Sequence, residues 1–118
     1  MTDNKARVLD VIDHITSGRL LEGFEKHYAS DCVLSENNEP EQTRHGKDAN
    51  RQYEEYFVAN AEFHGVEVEA VIGDGPNTAY QMTMDFTFGG QRITRTQWAV
   101  QQWNSAGQIE RETFFYSA

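Results

Sequence analysis

Basic side chains are scarce in this sequence. Ten Lys and Arg stand against nineteen Asp and Glu, a formal net charge of −9, and a chain of that sign is repelled at long range by nucleic acid and by anionic membrane surfaces. Neither is expected as a partner. Cysteine occurs once, at Cys32, so no internal disulfide can form, and its neighbours Val33 and Leu34 mark it as a buried reduced thiol rather than a nucleophile. A cytoplasmic setting is the expectation. No apolar run approaches the roughly 20 residues that a membrane-spanning helix needs, and the polar start Met1-Thr2-Asp3-Asn4-Lys5 is unlike a signal peptide. His-x-x-x-His and Cys-x-x-Cys spacings are missing. His14, His27, His45 and His64 fall on different elements and each reads as a lone exposed histidine, so no metal site is expected. A Gly-rich phosphate loop after a strand and a Gly-x-Ser-x-Gly motif are also missing, which removes nucleotide-dependent and serine-hydrolase chemistry and leaves no expected cofactor.

What is present reads as one domain over 1–118, a length sufficient to bury a core without staples. Asp3 or Asn4 can cap a first helix over 4–16, in which Val8, Val11, Ile12 and Ile15 recur at helical spacing and Gly18 ends the run. A shorter helix follows, with Leu20, Leu21, Phe24 and Tyr28 on one side and Glu22, Glu25 and Lys26 on the other, broken at Ser30-Asp31. Cys32 to Glu36 reads as a short strand, and the chain from Asn37 through Arg44 as a turn-rich loop. A third helix is predicted over 47–60, with a stripe of Ala49, Tyr53, Tyr56, Phe57 and Ala61. Alternation from Phe63 to Ile72 then gives a strand, and Gly73-Asp74-Gly75-Pro76 turns it into a meander. Helices followed by a run of strands mean α+β: three N-terminal helices packed on one face of a curved, mainly antiparallel sheet.

Two turns fix the register of that meander. Gly89-Gly90 suits a two-residue type I′ hairpin, pairing Phe88 with Gln91, Phe86 with Ile93, Met84 with Arg95, Met82 with Gln97 and Tyr80 with Ala99. Asn104-Ser105-Ala106-Gly107 closes the next hairpin and sets Gln101 opposite Glu110, Ala99 opposite Glu112, Gln97 opposite Phe114 and Arg95 opposite Tyr116, unless a bulge at Gly107 shifts it. Period-two alternation puts Tyr80, Met82, Met84, Phe86, Arg95, Gln97, Ala99, Gln101, Glu110, Glu112, Phe114 and Tyr116 on one face. The opposite face carries a separate apolar group, Trp98, Val100, Ile109 and Phe115. So much apolar area on the outer side of a small sheet leads us to expect a homodimer through it.

The element order, the run from Gly18 to Leu34 (Gly-x-Leu…Phe-x-x-x-Tyr-Ala-x-Asp), the helix start Gly46-Lys47-Asp48-Ala49 and the turn exit Gly107-Gln108-Ile109 resemble the nuclear transport factor 2-like superfamily and, within it, the SnoaL-like proteins. The resemblance implies a conical fold with a cavity between helices and concave sheet, and a dimer through the other face. It is poor in functional content, because the superfamily holds cyclases, isomerases, dehydratases, epoxide hydrolases and proteins without known catalysis. In members resembling ketosteroid isomerase the general base falls at Glu36, but the oxyanion tyrosine and aspartic acid fall at Val11 and Ala99. Neither donates a side-chain hydrogen bond, so that mechanism is not expected.

Four residues are candidates for catalysis. Glu36 is either a base at a strand end or a solvated loop-edge carboxylate. Glu110 and Glu112 point the same way, roughly 6.5–7 Å apart along the strand, and repulsion with desolvation should raise at least one pKa unless Glu110 reaches water at the edge and Glu112 joins a structural network. Arg95 can hold a ligand carboxylate or carbonyl, or form an internal ion pair. Around them Tyr80, Met82, Met84, Phe86 and Phe114 offer an apolar wall, while Gln97, Gln101 and Tyr116 offer polar contacts. Tyr28, Tyr53 and Tyr56 shape the edge. Two functions remain open: a cofactor-independent isomerase, cyclase or hydrolase using acid–base chemistry on an apolar oxygenated small molecule, or a non-catalytic module of the same fold that binds such a ligand or dimerises.

Overall fold

A computed structural model describes residues 3–117. Three helices, α1 (Asn4–Thr16), α2 (Leu20–His27) and α3 (Lys47–Asn60), accompany six strands: β1 (Tyr28–Glu36), β2 (Thr43–His45), β3 (Ala61–Asp74), β4 (Asn77–Phe88), β5 (Gln91–Trp103) and β6 (Ile109–Phe115). The strands form one sheet in the order β2-β1-β6-β5-β4-β3, antiparallel throughout except where β1 runs parallel to β6. The fold is α+β. Helix α1 packs against β3 and β4, and α3 against β1, which places the core between the helices and one sheet face.

Local chemistry accounts for the helix limits. The Asp3 carboxylate accepts a hydrogen bond from the Ala6 amide at 3.0 Å, satisfying one of the free donors of the first turn of α1. Val8, Val11 and Ile12 bury its inner face. Asp10 ties α1 to α2, since its carboxylate lies 2.7 Å from His27 Nε2 and accepts from Lys26 Nζ at 2.8 Å. These two partners hold the Asp10 pKa down to about 2. His14 and His27 are therefore buried, not exposed as expected, because each finds a partner on Asp10: His14 Nδ1 lies 2.7 Å from the Asp10 carbonyl.

The first hairpin has the expected register. Gly89 and Gly90 both take positive φ, 61° and 78°, and β4 pairs with β5 from Phe88–Gln91 through Tyr80–Ala99.

Several expectations need correction. Tyr28 is not helical: α2 stops at His27, and β1 begins at Tyr28, drawn out by parallel pairing of Tyr28 with Ile109. Ser30 and Asp31 form an exposed irregularity in that strand rather than a break before it. Thr43 and Arg44, read as loop, form with His45 a strand beside Val33 to Ser35, reached through Asn37 and Asn38 in left-handed conformation (φ 54° and 57°) that asparagine tolerates.

The stripe of α3 is rotated. Ala49 is exposed and Tyr56 is 64 % exposed, while Asn50 is fully buried, donating to the Gly46 carbonyl at 2.8 Å and the Arg44 carbonyl at 3.1 Å. Its inner face runs through Asn50, Glu54 and Phe57, while Ala61, expected at the end of the stripe, already begins β3.

The second hairpin is shifted by two residues, through an irregularity between Gln102 and Trp103: Gln101 faces Glu112, and Ala99 faces Phe114. Ile109, expected on the outer face, is instead fully buried with Trp103 in the core. The outer group is thus Trp98, Val100 and Phe115, and Glu110 is the extra residue between the Gln102–Arg111 and Trp103–Ile109 pairs.

Met82 and Phe86 are each 1 % exposed, whereas Thr83 and Thr87 point to the other side and are only half-buried. Met82→Lys or Phe86→Lys should cost at least about 3 kcal/mol, because an ammonium there has no partner. Thr83→Lys and Thr87→Lys should cost under about 1 kcal/mol. Urea denaturation of the four variants checks this, and the reverse ranking would mean a register wrong by one residue.

Candidate functional site

Between the helices and the sheet lies a cavity of about 100 Å³. Val11, Ile15, Leu20, Phe24 and Phe57 close it from the helical side, and Tyr80, Met82, Met84 and Phe114 from the sheet. Five polar residues break this apolar lining: Glu36, Tyr53, Glu54, Arg95 and Gln97, with Tyr28 at the start of β1.

Glu112 sits directly behind Tyr28 and is fully buried. The Tyr28 hydroxyl donates to its Oε1, and Gln101 Nε2 donates to its Oε2 at 2.6 Å. Gln101 Oε1 in turn accepts from Thr78 Oγ1 at 2.8 Å, and Thr78 Oγ1 accepts from Trp103 Nε1 at 2.8 Å. Each donor in this chain points toward the carboxyl, and such donors favour the ionised form. Burial outweighs them and raises the Glu112 pKa to about 7. The elevated pKa expected from the sequence is thus present, with desolvation as its main cause as expected, but the like charge is a different one. Glu110 is not among the charges acting on it; Glu36 is the carboxylate that adds to the rise.

Glu54 is the residue that sequence reasoning missed. It lies on the inner face of α3, one turn beyond Asn50 and three residues before Phe57, and that spacing was a readable signal. Its carboxyl has no hydrogen-bond or ion-pair partner among the described residues. Burial, followed by the nearby Glu112 charge, raises its pKa to about 8. At neutral pH it is a carboxylic acid facing an apolar space, able to donate a proton or a hydrogen bond.

Glu36 lines the cavity but is engaged. Arg44 Nη2 donates to it at 2.9 Å and the Tyr116 hydroxyl at 3.1 Å. Arg44, read as loop, also lies 3.6 Å over the Tyr53 ring and donates from Nε to Asn50 at 3.1 Å. Arg95 is different: among the described residues it forms no ion pair, and its guanidinium stacks 4.1 Å from the Tyr116 ring centroid and 5.7 Å from that of Phe86.

Of the other candidates, Tyr28, Tyr53, Tyr80, Met82, Met84, Gln97 and Phe114 line the cavity. Four do not. Tyr56 is turned outward onto Phe88, Phe86 is buried against Phe57 and Phe63, Gln101 is occupied by Glu112 and Thr78, and Tyr116 stands behind Arg95 and Glu36. Glu110 is half-buried beside the irregularity in β6 and also lies outside the lining. Among the described residues no group of three His, Cys, Asp or Glu is placed to hold a metal ion.

Glu54 makes stability depend on pH with a definite sign. Its folded pKa of about 8 lies above the ordinary 4.5, so the folded state holds a proton that the unfolded chain has lost between these values. That contribution is complete below about pH 4.5 and disappears as pH rises through about 8. Glu54→Gln has no proton to lose. Its melting temperature should match the wild type near pH 5 and exceed it by at least about 3 °C near pH 9. Melts showing a difference independent of pH would contradict the assignment.

The fold and the family agree. The model of the SnoaL-like domain matches residues 8–112. A candidate SnoaL-like polyketide cyclase from Mesorhizobium loti is 28 % identical, with a TM-score of 0.86 over 98 % of this chain and 100 % of that one. An NTF2-like protein of unknown function from Burkholderia pseudomallei K96243 is 17 % identical, with a TM-score of 0.81 over 99 % and 92 % of the two chains. An LEH-like epoxide hydrolase of M. tuberculosis is 12 % identical, with a TM-score of 0.77 over 97 % and 82 %. The last two likenesses show the fold alone. No curated protein matches the sequence. The match over residues 8–112 covers most of the chain, which belongs to the SnoaL-like family of the nuclear transport factor 2-like fold.

Proposed function

We propose that this chain is a cofactor-independent acid–base catalyst acting on an apolar, oxygen-bearing small molecule. The observation that carries the reading is Glu54, an unpartnered carboxyl in an apolar cavity whose pKa of about 8 keeps it protonated at neutral pH. A carbonyl oxygen seated beside it receives a hydrogen bond, and receives the proton as charge develops in the transition state. Tyr28 and Glu112 supply a second proton station. When Tyr28 oxygen takes a proton from the carbon next to the carbonyl, its own hydroxyl proton passes along the existing hydrogen bond to Glu112. The substrate loses a proton at carbon and gains one at oxygen; Glu54 becomes ionised and Glu112 protonated. Return of the proton to a different carbon isomerises the substrate, and attack of the enol carbon on a second carbonyl cyclises it.

Val11 and Ala99, at the positions of the isomerase donors, favour a second reading, ligand binding without turnover. Exchange of cyclohexanone α-protons for deuterium, followed by NMR in D₂O at neutral pD, separates the two. The wild type should accelerate exchange over buffer, and Glu54→Gln should lose about 100-fold of that acceleration. Equal rates in both proteins would overturn the role of Glu54. Binding of cyclohexanone with no acceleration would establish the second reading.

A further inference from the structure

We propose that the ligand of this cavity carries a carboxylate, bound by the Arg95 guanidinium and the Gln97 amide, on an apolar body about the size of a six-membered ring. The proposal rests on the cavity being the binding site and specifies what it takes. Arg95 and Gln97 follow each other on the inward face of β5, roughly 6.5–7 Å apart along the strand, opposite Met84 and Met82. Both line the cavity.

The argument begins from what Arg95 lacks. The chain has nineteen acidic side chains and ten basic ones, so an arginine has carboxylates to choose from. Arg19, Arg44, Arg51 and Arg92 each have an acidic partner. Arg7, Arg95 and Arg111 have none among the described residues, and of these three only Arg95 lies in the cavity wall. Glu36, which also lines that wall, pairs with Arg44 and takes the Tyr116 hydroxyl. The rings of Tyr116 and Phe86 flank the Arg95 guanidinium, Arg95 lines the cavity, and its forked N–H donors match a carboxylate.

Gln97 is the second, independent observation. It is 9 % exposed and lines the cavity, yet its amide makes no hydrogen bond with a described residue. Its amide atoms are not sealed in the core but reach accessible space, so they are free to meet a ligand in the cavity that Gln97 lines. A carboxylate spanning Arg95 and Gln97 satisfies both. The local charge balance agrees: Glu36 and Arg44 cancel, and the protonated Glu54 adds no negative charge at neutral pH. The cavity wall therefore has one positive charge to offset. A volume of about 100 Å³ is comparable to the roughly 150 Å³ engineered cavity that binds benzene, which sets the size of the apolar body.

Three probes of one shape test this: benzoate, benzamide and benzylammonium, titrated by calorimetry and NMR at pH 7 against the wild type, Arg95→Gln and Arg95→Lys. Benzoate should bind the wild type at least about tenfold more tightly than benzamide, and benzylammonium should bind most weakly. Arg95→Gln should bring benzoate level with benzamide while leaving benzamide within about threefold of its wild-type affinity, which also shows the cavity intact. Arg95→Lys, which keeps the charge without the fork, should retain a reduced preference for benzoate. Benzamide binding as well as benzoate in the wild type, or a benzoate preference that survives in Arg95→Gln, would overturn the carboxylate inference and leave the cavity as a binding site. Failure of all three probes to bind would overturn both. A benzoate preference without any deuterium exchange of cyclohexanone would uphold the carboxylate site and overturn only the catalytic reading.

Discussion

A carboxyl group shut off from solvent needs donors that the fold itself delivers, and Glu112 receives them from two strands at once. Tyr28 comes from β1, which lies parallel to β6, and Gln101 from β5, which lies antiparallel to it. Removing either donor would leave an oxygen buried and unpaired, at a cost of about 1–3 kcal/mol. The chain of donors reaches further, through Thr78 on β4 to Trp103 at the end of β5. Four neighbouring strands are thus held in register by one polar network, and the cavity lies on its inner side.

The same network sets the electrostatics of the cavity. Glu112 is near enough to Glu54 for its charge to raise the second carboxyl, so the two do not ionise independently. Glu36 repels both, and Arg44 moderates the repulsion from the far side of Glu36. Arg44 is itself fixed by Asn50, the fully buried residue of α3, so the helix that presents Glu54 also positions the cation that neutralises Glu36. Packing, hydrogen bonding and proton affinity here come from the same few residues.

Local chemistry was legible in the sequence, and long-range chemistry was not. The hairpin at Gly89-Gly90 could be read because two adjacent glycines select the turn and period-two alternation does the rest. The limits of α1 and α3 could be read from Asp3 and from the Gly46 start. Residues of β4 and β5 that face the cavity followed from that register, including Arg95 and Gln97. The pairing of β1 with β6 could not be read, since nothing local in Tyr28 or Ile109 points to a partner at the other end of the chain, and without it Tyr28 stayed a helical residue. The shifted register of β6 depended on an irregularity whose position the turn residues do not fix, so Glu110 was placed beside Glu112. Glu54 escaped because the stripe of α3 was drawn through its aromatic residues. The buried face carries a polar residue at both Asn50 and Glu54, and a rule that seeks apolar spacing passes over them.

The account stands on two carboxyl groups whose pKa values burial raises inside an α+β fold, so that near neutral pH Glu54 holds its proton and Glu112 is poised between its two forms. A carboxyl-detected ¹³C NMR titration of the wild-type protein, with Glu54→Gln and Glu112→Gln used only to assign the resonances, measures this directly. It should show Glu54 titrating near pH 8 and Glu112 near pH 7, with coupled curves in which ionisation of one delays the other. Both groups titrating at or below the ordinary value of 4.5 would contradict the account, since Glu54 would then have no proton to give and Glu112 would be too weak a base to take one from Tyr28.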